Sequence, residues 1–143
     1  MKQTSRLKFL FNLTTLLSVL SCFLPWVRGG DLLAYTVNGI HLFPRFQDNG
    51  GIIMVILGIT MLVLNSGSVR EGSKTHVIRY LSSILLLLLT VFQLFWVGLI
   101  KNKNAAVIGA PTIQIGLYLV LIGSLGAMAI EIMRNRKKEN TFL

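Results

Sequence analysis

Four long apolar stretches separated by polar punctuation dominate the chain, at residues 7–27, 50–65, 80–100 and 111–133. Within each, apolar residues follow one another almost without a break, instead of alternating or forming one narrow stripe, as in helices surrounded by lipid. A helix rises about 1.5 Å per residue and bilayer hydrocarbon is about 30 Å thick, so one crossing takes about 20 residues. Three stretches meet that length. The second has only 16 residues, which predicts a helix extending into its polar flanks or a locally thinned bilayer. The predicted fold class is therefore an all-α integral membrane protein, an antiparallel bundle of four transmembrane helices in a single membrane domain. Between the spans lie a first outer loop at 28–49, an inner loop at 66–79 and a second outer loop at 101–110, and a basic tail follows at 134–143.

The first outer loop carries the clearest local signal. Leu33 to Val37 and Ile40 to Phe43 flank Asn38-Gly39, the preferred pair for a two-residue type I′ turn, in which both positions need positive φ. This predicts a short β-hairpin with Val37 opposite Ile40 and Tyr35 opposite Leu42. Those four residues then share an apolar face, and an isolated hairpin is marginal in water. The face is expected to cover the helix ends, the membrane interface or a partner protein.

Charge changes the picture by giving it an orientation. The net charge is +9, and a basic chain of that kind can bind nucleic acid. Here the basic residues are split by side. Lys2, Arg6, Lys8, Arg70, Lys74, Arg79, Arg134, Arg136, Lys137 and Lys138, ten of the fourteen, fall on one side of a four-span chain. That asymmetry is the positive-inside pattern, and it places both termini in the cytoplasm. Trp26 and Trp96 fall at the opposite interface, as an aromatic belt requires. A charged fraction of 13% and a mean hydropathy of +0.69 agree with lipid and not with a soluble domain. Nucleic acid is not expected as a partner. The bilayer is, with anionic lipids at the cytoplasmic face drawn to Arg134, Arg136, Lys137 and Lys138.

The N-terminus also has a lipoprotein-like look, with Lys2, Arg6 and Lys8 before an apolar run that reaches Cys22. The apolar run continues through Phe23-Leu24-Pro25-Trp26-Val27, and Leu20 is bulky for a cleavage site, so the first helix is expected to be retained. One cysteine permits neither an internal disulfide nor a paired-thiol redox centre.

Candidate chemistry is sparse. No ionisable residue lies in the central part of a span, which argues against a proton-coupled exporter. Glu131, at the inner end of the fourth span beside the basic tail, reads as a salt-bridged or solvated interface residue. Thr14, Ser18 and Cys22 recur at four-residue steps on the first helix, with Asn12 nearby. Ser83, Thr90 and Gln93 share a face of the third. These are expected to make interhelical hydrogen bonds; alternatively, Asn12, Ser83, Thr90 and Gln93 line a polar groove for a lipid headgroup or small amphiphile. Gly116, Gly123 and Ala127 form a small-residue stripe on the fourth helix, suited to close approach of a helix from this chain or from a second protomer. No catalytic, metal or cofactor motif is read.

A first helix ending in Phe23-Leu24-Pro25-Trp26-Val27, then a strand-rich outer loop and three more helices, resembles small bacterial tetraspan membrane proteins. More distantly it resembles the claudin-like layout, in which a small outer sheet rests on a four-helix bundle and mediates contacts. The chain lacks the paired outer-loop cysteines and the Gly-Leu-Trp element of claudins. What the resemblance implies is a fold. The expected function is a non-enzymatic accessory, scaffold or interaction subunit of the bacterial inner membrane, bound to another membrane protein or to its own copies. The alternative is a small transporter or lipid-binding protein.

Overall fold

A computed structural model of the chain describes residues 2–29, 35–39, 50–66, 72–108 and 112–139. Among them are four helices and three short strands: α1 (Lys2–Ser21), β1 (Pro25–Gly29), β2 (Tyr35–Asn38), α2 (Gly50–Asn65), α3 (Ser73–Ile108), β3 (Thr112–Ile113) and α4 (Ile115–Glu139). The strands form one antiparallel sheet in the order β2-β1-β3. α1 packs most extensively on α4 and also on α2, while α3 packs on α2 and α4. The side-chain contacts described below show that successive helices run antiparallel.

The helix ends depart from the apolar stretches in instructive ways. α1 stops at Ser21, six residues before the apolar run does. Pro25 excludes helical geometry at the residue before it, and the chain leaves the helix in a tightened turn. In that turn the amides of Cys22, Phe23 and Leu24 donate to the carbonyls of Val19, Leu20 and Ser21. What looked like the last turn of a span is strand β1. The fourth stretch likewise spends Thr112–Ile113 on β3 before α4 begins. α3 starts at Ser73 and continues to Ile108, so it absorbs most of the second outer loop expected at 101–110. α2 spans the 16 residues read from its apolar stretch.

Two helical segments, Lys74–Trp96 and Ile115–Asn135, are long and apolar enough to cross a membrane, each with a hydropathy of 2.0. All four helices expose large apolar side chains, among them Phe9 and Leu13 on α1, Ile56 and Val63 on α2, Leu88 and Phe95 on α3, and Ile122 and Leu125 on α4. The interior mixes Phe11, Met54, Met61, Leu86, Leu117 and Val120 with buried Thr15, Ser18, Asn65, Arg79, Ser83, Gln93 and Glu131. Much of the polar material is inside and much of the bulky apolar material outside, the reverse of a water-soluble bundle.

Of the expected hairpin only the first arm falls within the described residues, and it also belongs to a sheet that was not expected. β2 does hold Tyr35 and Val37, but its partner is β1, with Val27 opposite Val37 and Gly29 opposite Tyr35. Ile40 and Leu42 lie outside the described residues. A register irregularity between Pro25 and Val27 leaves Trp26 as an extra residue in β1, and such a bulge re-aims its side chain. Trp26 is fully buried instead of sitting in an interfacial belt, and its indole Nε1 donates to the carbonyl of Ser21 at 2.8 Å. Gly39 and Gly116 pack on the indole so closely that a Cβ at either would stand within about 2.7 Å of it, and a Cβ on Gly51 would strike the Gly39 carbonyl. β3 closes the other side of β1, where the Gln114 amide donates to the Trp26 carbonyl at 2.9 Å. This end of the bundle, where α1 finishes and α2 and α4 begin, is plugged by one tryptophan. Trp96 is partly exposed on α3 and stacks on Phe92 at 6.2 Å between ring centroids.

Candidate functional site

The opposite end of the bundle holds the densest chemistry among the described residues. Glu131 on α4 is fully buried, and its Oε1 accepts hydrogen bonds from Arg79 Nε of α3 and from Arg134 Nη1, one turn further along α4, the latter at 3.2 Å. Arg134 Nη1 also donates to Asn65 Oδ1 at the end of α2, 2.9 Å away. The Asn65 amide nitrogen donates in turn to Asn12 Oδ1 at 2.7 Å and to the Lys8 carbonyl at 3.2 Å, both on α1. His76 Nε2 stands 3.8 Å from Glu131 Oε2. The buried Phe11 ring lies 5.7 Å and 5.9 Å from the two guanidinium carbons, within cation–π range. One connected polar network thus joins these ends of all four helices.

The local sequence explains how each group arrives there. Arg79 immediately precedes the third apolar stretch and Glu131 falls near the end of the fourth, so antiparallel packing brings them to one depth. Glu131 and Arg134 are three apart, neighbours on one helical face. Arg79 is only 2% exposed, and its position is fixed from its own helix because Ser83 Oγ donates to its carbonyl at 3.0 Å. Among the described residues the cluster sets two guanidinium groups against one carboxylate. Arg79 Nη1 is buried with no hydrogen-bond partner, and so is Glu131 Oε2.

Glu131 is indeed salt-bridged, but it is not solvated. Arg134, expected to meet anionic lipid at the surface, is instead buried against Glu131 and Asn65; pairing removes the cost that would otherwise keep it in water. Arg136, Lys137 and Lys138 continue the α4 helix, and their side chains lie outside the described ones. The expected polar groove is not one place. Asn12 belongs to the ionic network, whereas Ser83 and Thr90 donate to carbonyls four residues back in α3, and Gln93 is buried further along that helix.

The small-residue stripe and the hydroxyl stripe prove to be two sides of one seam. A Cβ on Gly123 would collide with Ser18 Oγ and stand 2.8 Å from the Thr14 carbonyl, and one on Gly126 would meet Thr14. Ala127 is fully buried, and Gly116 lies against Pro25 and Trp26. Gly116 and Gly123 therefore approach α1 and β1 of the same chain, which leaves the stripe unavailable to a second protomer. Thr14, Ser18 and Cys22 direct their polar atoms to carbonyls of α1 itself.

Sequence reading missed Arg79, Asn65, Phe11 and Trp26 as buried residues. For Arg79 a signal existed: opposite charges at matching depth on helices that must be antiparallel neighbours. No group of three metal-ligating side chains comes together among the described residues. No protein-family model matches the chain, and comparison with curated proteins and with solved structures finds no match either.

Proposed function

We propose that the chain is a multi-pass protein of the bacterial cytoplasmic membrane that crosses four times with both termini inside, and that it acts as a non-enzymatic accessory, scaffold or interaction subunit. The observation that carries the membrane reading is the distribution of side chains: apolar surface on all four helices around an interior that contains Glu131, Arg79, Gln93 and several hydroxyls. Such a surface is stable against lipid and aggregates in water. α1 and α2 share it, although only segments of α3 and α4 have the length and hydropathy of a span on their own. The basic residues set the orientation, with the ionic cluster inside and the tryptophan plug outside.

The subunit reading is supported by how the interior polar groups are used. Asn65, Arg79, Glu131 and Arg134 tie helix to helix while Ser83 and Thr90 back-bond within one helix, so the bundle is built as a fixed body, and its outer sheet presents exposed Arg28 and Thr112. Cysteines introduced at 70, 103 and 138 provide the topology test, since the native Cys22 is buried. Positions 70 and 138 should label only from the cytoplasm and 103 only from outside. Purification from native membranes in mild detergent tests the subunit reading, which a lone monomer with nothing bound would sink.

A second reading, a lipid- or amphiphile-binding protein, is favoured by one observation: the buried Nη1 of Arg79 that lacks a hydrogen-bond partner.

A further inference from the structure

We propose that the second and third turns of α1 form a binding site for an anionic phospholipid, with Arg6 at the headgroup and Phe9 and Leu10 along an acyl chain. The inference deepens the second reading, and it rests on the four-span reading, which supplies the bilayer.

Three observations converge on the site. The first is shape: an open groove of about 410 Å³ lies along α1, lined among the described residues by Ser5, Arg6, Phe9 and Leu10. Steps of three and four residues put these side chains on one side of the helix. The second is charge complementarity. Arg6 is exposed, and no hydrogen bond or ion pair engages it among the described residues. α1 carries Lys2, Arg6 and Lys8 and no acidic residue, so an anion is the partner it lacks. The guanidinium is a rigid fork that suits phosphate oxygens, and the Ser5 hydroxyl adds a donor beside it. A choline ammonium, by contrast, finds no carboxylate on α1. The third is depth. The Lys8 carbonyl accepts from Asn65, which also holds Arg134, one residue from the end of the Ile115–Asn135 segment. Arg6 lies two residues beyond Lys8 toward the chain start, about 3 Å of helix rise. In a spanning bundle that is the level at which acyl chains give way to headgroups. On the hydrocarbon side of it Phe9 is 67% exposed, and Leu10, Leu13 and Leu16 continue the exposed apolar lane along α1.

The test uses the full chain, purified in a neutral detergent and stripped of lipid. Its Tm is followed against concentration of short-chain phosphatidylglycerol, short-chain phosphatidylcholine and soluble glycerol phosphate, at constant ionic strength. Three variants accompany it: Arg6→Gln, Phe9→Ala, and a triple variant in which Arg136, Lys137 and Lys138 become Gln. Arg6 and Phe9 are exposed, so the first two leave the interior of the bundle intact. Phosphatidylglycerol should raise Tm at lower concentration than phosphatidylcholine in the wild type and in the triple variant. Arg6→Gln should weaken phosphatidylglycerol about tenfold, the loss expected for one charge-assisted hydrogen bond, and leave phosphatidylcholine nearer its wild-type value. Phe9→Ala should weaken both lipids alike. A wild type that does not distinguish the two lipids overturns the site. So does a preference that survives Arg6→Gln and vanishes in the triple variant, which assigns the lipid to the tail, and so does an equal fall in both, which marks a diffuse basic surface. A shift with glycerol phosphate equal to that with phosphatidylglycerol overturns a lipid as the occupant. The lipid comparison is read in detergent and the cysteine labelling in intact membranes, so failure here and failure of the topology remain distinguishable.

Discussion

The two ends of the bundle are closed by opposite kinds of chemistry. At the outer end a single indole fills the space between β1, the turn at Gly39 and the start of α4, and the fit depends on glycines where any side chain would collide. The hydrogen bond of the indole is local, from Trp26 Nε1 to the Ser21 carbonyl. At the other end, charges and amides from four helices are tied together across sequence separations of 52 to 69 residues. The outer end is specified by shape and tolerates no added volume, whereas the inner end is specified by charge balance and tolerates no removal of one partner alone.

That contrast can be broken most forcefully at Glu131. Glu131→Leu leaves two guanidinium groups buried without their carboxylate and should cost about 4–5 kcal/mol, read by thermal unfolding in detergent. Replacing Arg79, Glu131 and Arg134 together by apolar residues of similar volume should recover most of that loss. If the triple replacement proves as damaging as the single one, the inner end is held by shape after all. Next comes the plug: Trp26→Ala empties a fully enclosed site and should cost about 3–4 kcal/mol in the same assay. Gly123→Val drives a branched side chain into Ser18 and the Thr14 carbonyl and should cost about 1–3 kcal/mol, and Ser18→Gly in the same chain should relieve part of it. The smallest effect is expected at Ser83→Ala, within about 0.5 kcal/mol, because Ser83 back-bonds to its own helix and joins no other.

The two ends were also unequally legible in the sequence. The presence and order of the four helices follow from a local signal, the length of each apolar run. The stripes on α1 and α4 were legible one at a time, since each obeys helical periodicity, but their meeting depends on helix rotation, which periodicity does not set. Pro25 carried the signal that α1 ends early, yet the apolar run around it reads equally as span or as strand. Asn38-Gly39 pointed to strand up to Val37, where β2 runs from Tyr35 and takes in Asn38 as well, but the first three residues of its partner β1 lay in what was read as membrane. The Arg79–Glu131 pair was legible only in part, as opposite charges at matching depth. A cation just before an apolar run and an anion near the end of another each satisfy the expectation for interface residues, and only their juxtaposition turns both inward.

The distance along the chain between Arg79 and Glu131 has a consequence for how the protein is made. Ribosomes add about 5–20 residues per second, so the 52 residues between the two take about 3–10 s to appear. On the four-span reading, α3 reaches the membrane with an arginine near its cytoplasmic end and no carboxylate to receive it. Its long side chain can wait with the guanidinium among the headgroups. It is drawn under the helix ends only when α4 inserts and presents Glu131. The inner lock therefore closes last, and a nascent chain halted before residue 131 would hold three inserted helices and an open cytoplasmic end, the form most exposed to membrane proteases.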